Sequence, residues 1–208
     1  IDSGMTISEA GVIDSGGFVA DAGPNAVVGF DVGTSTNCEW LYSRGWLSPR
    51  PCDDPVQISP GKHHSCALRD RGSVVCWGEN NEGQLGDGTN INRIHPVTVP
   101  GVRTSSSSGS VKVGLHHTCV LDAAGTVWCW GKNDKGQVGA SLSTYPNVSY
   151  PVQVHDENGD PLTGITQIAL GRNHSCALQA PNLYCWGDNE FRQSGRSTGL
   201  TVEAAQLV

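Results

Sequence analysis

Charge and long apolar runs are both scarce in this 208-residue chain, of which 16% is charged and 37% hydrophobic. No stretch approaches the ~18 consecutive apolar residues of a membrane helix, and the composition excludes a membrane bundle or a coiled coil. The start, Ile1-Asp2-Ser3-Gly4, lacks the basic flank and apolar core of a secretion signal, so it reads as a mature or internal segment. Basic residues are also few, 13 Lys and Arg against 20 Asp and Glu. Much of the net −7 comes from Asp2, Glu9, Asp14, Asp21 and Asp31, which have no Lys or Arg among them. The nearly neutral remainder has no phosphate-neutralising face, so nucleic acid is not an expected partner. Catalytic motifs are missing as well: there is no nucleophile elbow, phosphate-cradling Gly loop or His-Glu-x-x-His pair. Asp156-Glu157-Asn158-Gly159-Asp160 has its Gly at the fourth place, where a calcium loop needs it at the sixth, and reads as a turn. Neither catalysis, metal nor cofactor is expected.

What the chain has in quantity is backbone punctuation, Gly 27 and Pro 11. Residues 1–35 read as an acidic Gly/Asp/Ala-rich linker with turn chemistry at Ser15-Gly16-Gly17 and Ala22-Gly23-Pro24-Asn25. Residues 36–55 form a bridging segment in which Cys38 and Cys52 enclose a possible disulfide loop. From Val56 the chain repeats itself. The first unit, 56–110, carries Gly61-Lys62-His63-His64-Ser65-Cys66-Ala67-Leu68, Cys76-Trp77-Gly78-Glu79-Asn80 and Gly83-Gln84-Leu85-Gly86. The second, 111–164, carries Gly114-Leu115-His116-His117-Thr118-Cys119-Val120-Leu121, Cys129-Trp130-Gly131-Lys132-Asn133 and Gly136-Gln137-Val138-Gly139. The third, 165–208 and incomplete, carries Gly171-Arg172-Asn173-His174-Ser175-Cys176-Ala177-Leu178, Cys185-Trp186-Gly187-Asp188-Asn189 and a degraded Arg192-Gln193-Ser194-Gly195.

Each unit reads as short strands joined by tight turns, with Pro96-Val97-Thr98-Val99 and Pro151-Val152-Gln153-Val154 closing the first two. About four strands per repeat of roughly 50 residues is the blade of a β-propeller, so the fold class is all-β, a partial propeller of about three four-stranded blades. These blocks resemble the regulator of chromosome condensation repeat family. Its best-known member is a seven-bladed propeller that promotes guanine nucleotide exchange on a small nuclear GTPase and docks on nucleosomes; other members are interaction platforms. The resemblance covers Val56 to Val208. Seven blades of this length would need roughly 385 residues, so the expectation is either missing blades of a longer chain or an open arc that self-associates. The paired cysteines depart from the nuclear member and look like the secreted bacterial branch.

Cys66/Cys76, Cys119/Cys129 and Cys176/Cys185 each flank a turn and should face one another across a hairpin, as in disulfide-stapled sheets. With Cys38 and Cys52 the count is even, so four local disulfides are expected, and an extracellular, periplasmic or cell-surface setting with them. Zinc on His64, Cys66 and Cys76 is the weaker reading, with too few ligands per unit. His64, His117 and His174 read as buried hydrogen-bonding residues tying a strand to a neighbouring turn, and Trp77, Trp130 and Trp186 as inter-sheet core. Gly61, Gly78, Gly114, Gly131, Gly171 and Gly187 complete the repeated frame. The variable segments Asp87 to Ile94, Ala140 to Tyr150 and Ser194 to Leu200 form the expected binding rim, with Thr89, Asn90, Arg93, Tyr145, Asn147, Tyr150 and Arg196 as candidates. The functional expectation is a binding or scaffolding module for a protein or surface glycan. Nucleotide exchange and extracellular glycan chemistry are its rivals.

Overall fold

The computed structural model describes residues 12–13, 19–20, 53–105, 107–140, 147–195, 199 and 201–208. Two compact units divide at residue 52, one of residues 1–52 and one of 53–208. In the first unit, within the segment read as linker, β1 (Val12–Ile13) pairs antiparallel with β2 (Val19–Ala20). The Cys38 and Cys52 pairing lies outside the described residues.

The second unit is built of three four-stranded antiparallel sheets. The first sheet runs β3 (Pro55–Pro60), β4 (His64–Arg69), β5 (Ser73–Gly78) and β6 (Arg93–Arg103). The second runs β7 (Ser110–Val113), β8 (His117–Leu121), β9 (Val127–Lys132) and β10 (Asn147–Gln153). The third runs β11 (Gln167–Leu170), β12 (His174–Gln179), β13 (Asn182–Asp188) and β14 (Thr201–Leu207). Each is a simple meander with neighbours in chain order. The third unit, read as incomplete, therefore has its fourth strand. Its Ala205-Gln206-Leu207-Val208 stands where the others have Pro-Val-x-Val, Gln206 facing Cys185 as Val97 faces Cys76 and Val152 faces Cys129, while Val202, opposite Gly187, keeps the buried position of Val148 opposite Gly131.

Hairpin register follows from the turns between the second and third strands. Cys66 lies opposite Cys76, Cys119 opposite Cys129 and Cys176 opposite Cys185. All three pairs are disulfide-bonded, with Cα atoms 4.1 Å apart. The third turn is one residue shorter and still holds its cysteines in register. Bonded sulfurs are not thiolates, which removes the zinc reading of His64, Cys66 and Cys76. In the chain-entropy model each short loop adds about 3 kcal/mol. Replacing Cys119 and Cys129 together by Ser should lower stability by about that amount, which urea unfolding against the parent chain measures.

One apolar cluster runs through all three blades, from Cys66, Leu68 and Val74 through Cys119, Val120 and Trp130 to Ile168 and Trp186. First strands of neighbouring blades meet laterally: the Val111 amide donates to Gln57 Oε1 (2.7 Å) and the Val113 amide to Ser59 Oγ (3.1 Å). The residue three before the first repeated Gly shows what a preceding blade does. Val111 and Ile168 are 0% and 2% exposed, whereas Ile58, with no described blade before it, is 64% exposed.

Candidate functional site: the blade joints and the rim

The segment after each third strand, Asn-x-x-Gly-Gln in the first two blades and Asn189-Glu190-Phe191-Arg192-Gln193 in the third, folds on its own side chains. Asn80 Oδ1 accepts the Leu85 amide (2.9 Å), Asn133 Oδ1 that of Val138 (3.0 Å) and Asn189 Oδ1 that of Ser194 (3.2 Å). Gln84, Gln137 and Gln193 each accept, through Oε1, the amide two residues before. Short polar side chains bonding to nearby backbone fix such a loop in one shape. With the side chain spent inward, the Gln backbone carbonyl is left aimed at the next blade.

Two groups of the next blade meet it there. The Gln84 carbonyl accepts Thr118 Oγ1–H (3.0 Å) and Trp130 Nε1–H (2.9 Å). At the second joint the Gln137 carbonyl accepts Ser175 Oγ–H and Trp186 Nε1–H, both at 3.0 Å. Thr118 lies opposite Trp130 in the hairpin and Ser175 opposite Trp186, so each pair rises from one face of its sheet. A carbonyl has two lone pairs, and both are used.

The repeated histidine completes the joint. His64 Nε2 is 2.9 Å from Thr118 Oγ1, and His117 Nε2 is 3.0 Å from Ser175 Oγ. Each hydroxyl has already given its one proton to the Gln carbonyl, so the imidazole must be the donor through Nε2–H. That fixes the tautomer and leaves Nδ1 as a bare lone pair, which in both residues is buried without a partner. Burial lowers the His64 pKa from 6.5 to about 4 and that of His117 to about 3, with neighbouring imidazoles as lesser causes. The partner of the histidine is thus the hydroxyl of the next blade, not a neighbouring turn. The sequence repeats that hydroxyl, in His-[Ser/Thr]-Cys, and the Gln; only their roles went unread.

The glycines make room for this. A Cβ on Gly114 would stand 2.5 Å from His117 Nδ1, so the ring lies where any side chain would be. Gly131 holds φ at 103°, and a Cβ there would come 2.8 Å from the His117 Cα. Trp130 and Trp186 are fully buried, while Trp77, which has no described blade before it, is half-buried.

The rim residues are of two kinds. Thr89 and Arg93 hold their own loop: Asp87 accepts Thr89 Oγ1–H (2.7 Å), Arg93 Nε–H (2.9 Å) and Asn80 Nδ2–H (3.1 Å). Burial opposes ionisation of Asp87, but the hydrogen bonds from Thr89 and Arg93 outweigh it and hold the carboxylate below its ordinary range. Asp87 and its ion pair with Arg93 (2.8 Å) were not read from the sequence. Asn147 donates to Glu82 of the preceding blade (2.7 Å). Asn90 and Tyr150 are exposed and engaged in no such lattice among the described residues. Tyr145 and Arg196 lie outside the described residues. No group of three or more His, Cys, Asp or Glu among the described residues is arranged to hold a metal. No described helix is long and apolar enough to cross a membrane.

Together, the meandering sheets and repeated joints define a repeat protein of the β-propeller class. The Regulator of chromosome condensation (RCC1) repeat matches residues 71–121 and 124–178, and its second profile matches 56–84, 110–137 and 165–193. The chain belongs to this family. It is 35% identical over 175 residues to the probable E3 ubiquitin-protein ligase HERC6 of Homo sapiens, covering 74% of this chain and 16% of that protein. It is 29% identical over 190 residues to the X-linked retinitis pigmentosa GTPase regulator of Homo sapiens, covering 89% of this chain and 18% of that one. The chain thus spans less than a fifth of the length of these two relatives. Among solved structures, human WBSCR16 superimposes with a TM-score of 0.65 at 24% identity over 78% of this chain and 42% of that one. Yeast RCC1 (Prp20), bound to Kap60, superimposes with a TM-score of 0.58 at 22% identity over 78% and 39%.

Proposed function

We propose that this chain is a binding and scaffolding module without catalysis, working in an oxidising extracellular, periplasmic or cell-surface setting and presenting its rim to a protein partner. One observation carries the reading: at the two described joints the side chains that repeat are consumed by the frame. His64, His117, Trp130, Trp186 and the Asn and Gln of each loop are bonded to neighbouring blades or to their own loop, so none is left to take a ligand. What varies from unit to unit and faces solvent is the rim, where Asn90, Ile91 and Tyr150 stand out. An exposed aromatic and an isoleucine among polar groups suit a protein surface better than a charged polymer. Three local disulfides support the oxidising setting, since such bonds are rare where glutathione keeps thiols reduced.

A photo-crosslinking residue at Asn90 or Tyr150 should capture a protein from the native surroundings of the chain, whereas the same residue at Glu157, on the loop joining the second and third blades, should not. Equal capture at all three positions, or none at the rim, overturns the reading. The names of the relatives include a GTPase regulator, so release of labelled nucleotide from small GTPases is the companion measurement. No acceleration is expected, and a clear acceleration would replace this proposal with the exchange-factor reading.

A further inference from the structure

Between the second and third blades the chain folds into a small acidic hairpin. Its Asp156 amide donates to the Asp160 carbonyl (2.8 Å), and the Gly159 amide closes the turn on the Asp156 carbonyl (3.0 Å). The hairpin is tied to the third blade where the Ala205 amide of β14 donates to the His155 carbonyl (3.0 Å) and Asp156 bridges Ala205 in parallel. At its tip stands Asn158-Gly159, the one Asn-Gly pair in the chain. Glycine leaves its nitrogen uncrowded by a side chain, and a Cβ built on Gly159 would meet nothing within 4 Å. Both residues are exposed. Asn158 is held by its amide on Asp156 Oδ1 (2.9 Å) and by its side-chain Nδ2 on Asp156 Oδ2, at a long 3.4 Å. These bonds all lie within the hairpin, so its tip opens without displacing another element, and exposed turns of this kind open at small cost.

Asp87-Gly88 places a carboxyl at the same reach from a glycine nitrogen, and a Cβ on Gly88 would likewise meet nothing within 4 Å. That site is fixed from outside. The Gly88 amide donates to the Ser149 carbonyl of the next blade (2.8 Å), and the two Asp87 oxygens accept Thr89, Asn80 and Arg93. Open space at the glycine is common to both sites, whereas freedom from neighbouring elements belongs to the hairpin tip.

We propose that Asn158 is a site of spontaneous covalent modification, and that the change loosens the hairpin from β14. The Gly159 nitrogen, giving up its proton, attacks Asn158 Cγ. The Cγ–Nδ2 bond breaks as the new one forms, and Nδ2 takes up a proton and leaves as ammonia. Water then adds to either carbonyl of the five-membered imide, leaving an aspartyl or an isoaspartyl link. No oxidant, cofactor or second protein is needed. The product sets a further carboxylate beside those of Asp156, Glu157 and Asp160, where like charges repel. In the isoaspartyl form the backbone is also one methylene longer at the turn, so the Asp156 and Asp160 pairing that presents the His155 carbonyl to Ala205 no longer keeps its register. This goes beyond the rim-binding role and concerns a different part of the chain.

The test holds the 208-residue chain, folded and with its disulfides intact, in warm, mildly alkaline buffer and maps its peptides at intervals. The peptide carrying Asn158 should become heavier by about 1 Da and split into two chromatographic forms, one of them a substrate for an isoaspartyl methyltransferase. Conversion should quicken as the pH is raised, because the nitrogen attacks after losing its proton. Gly159→Ala, which crowds that nitrogen, should slow it by about tenfold or more. In the converted chain the Ala205 amide should exchange its hydrogen faster by about fivefold or more, while the Cys119 amide in the second blade keeps its rate. Asn158 that stays intact while other asparagines of the chain convert overturns the proposal. Conversion to aspartate alone at a rate indifferent to Gly159→Ala overturns the chemistry, and isomerisation at Asp87 as fast as at Asn158 overturns the role given to the surrounding holds. Full conversion with Ala205 exchange unchanged overturns the loosening. Rim crosslinking at Asn90 and Tyr150 reads a separate property, so either result can fail without the other.

Discussion

Trp130→Ala should cost this chain about 3–5 kcal/mol of stability, the range for removing a large aromatic from a packed core. The ring is fully buried, and its Nε1–H holds the Gln84 carbonyl of the preceding blade. Its indole nitrogen lies only 2.6 Å from where a Cβ on Gly86 would be, so the loop rests directly on the ring and cannot settle far into the space left behind. Against a typical domain stability of about 5–15 kcal/mol, such a loss leaves the second blade marginal. Trp130→Phe keeps most of the apolar contact and drops the donor, so it should cost about 1–2 kcal/mol. Trp77→Ala, at the same frame position but half-buried with no described blade against it, should cost only about 1–2 kcal/mol. Urea unfolding of the three variants gives the order, with Tyr150→Ala as a surface control expected within about 0.5 kcal/mol of the parent. If Trp130→Ala melted like the parent while abolishing capture at the rim, the aromatic would be a binding platform and the roles of frame and rim would have to be exchanged.

The architecture was legible because each of its determinants is local in the chain. Cysteines ten or nine positions apart about a turn specify a hairpin register by themselves, and three copies of Cys-Trp-Gly at one spacing specify three hairpins. The joints were legible only in part. A residue alignment shows that His64, Thr118, Gln84 and Trp130 each belong to repeated blocks, but not that the four converge on one another from two blades. His64 and Thr118 are 54 positions apart, and the bond between them exists only once one blade is laid on the next. The fourth strand of the third blade escaped for a different reason. Its pairing with β13 depends on backbone hydrogen bonds and on the burial of Val202 and Ala205, and neither needs the prolines by which the other fourth strands were recognised. Within the rim, sequence variability located the loops but could not separate residues that build a loop from those that the loop displays. Thr89 and Arg93 proved to be builders because Asp87 sits between them.

The same joints make the protein sensitive to mild acid. His64 and His117 are neutral in the folded chain, with pKa values lowered by burial to about 4 and about 3 from an ordinary 6.5. Between pH 6.5 and about 4 the unfolded chain therefore binds more protons at these two positions than the folded one does. Stability rises with pH in that window, is fully present above about 6.5, and is lost as the pH falls. Each of the two contributes at most about 1.4 kcal/mol per pH unit, approached near pH 5 where the unfolded imidazole is charged and the folded one is not, and His174, whose pKa burial also lowers, adds to the same fall. Carboxylates whose pKa is lowered in the fold, Asp53, Asp87 and Asp134, start from an ordinary value of 3.8 and add their loss mainly below this window. The structural reason lies at Nδ1: a proton added there places a charged donor in a buried site with no acceptor, while Nε2–H is already committed to the hydroxyl of the next blade. His117→Gln removes the group whose pKa is lowered furthest, and its urea midpoint should fall with acid clearly less steeply than that of the parent between pH 6.5 and 4.5. A parent midpoint that stayed level across this interval, or a variant slope equal to that of the parent, would mean that the blades do not separate through these histidines.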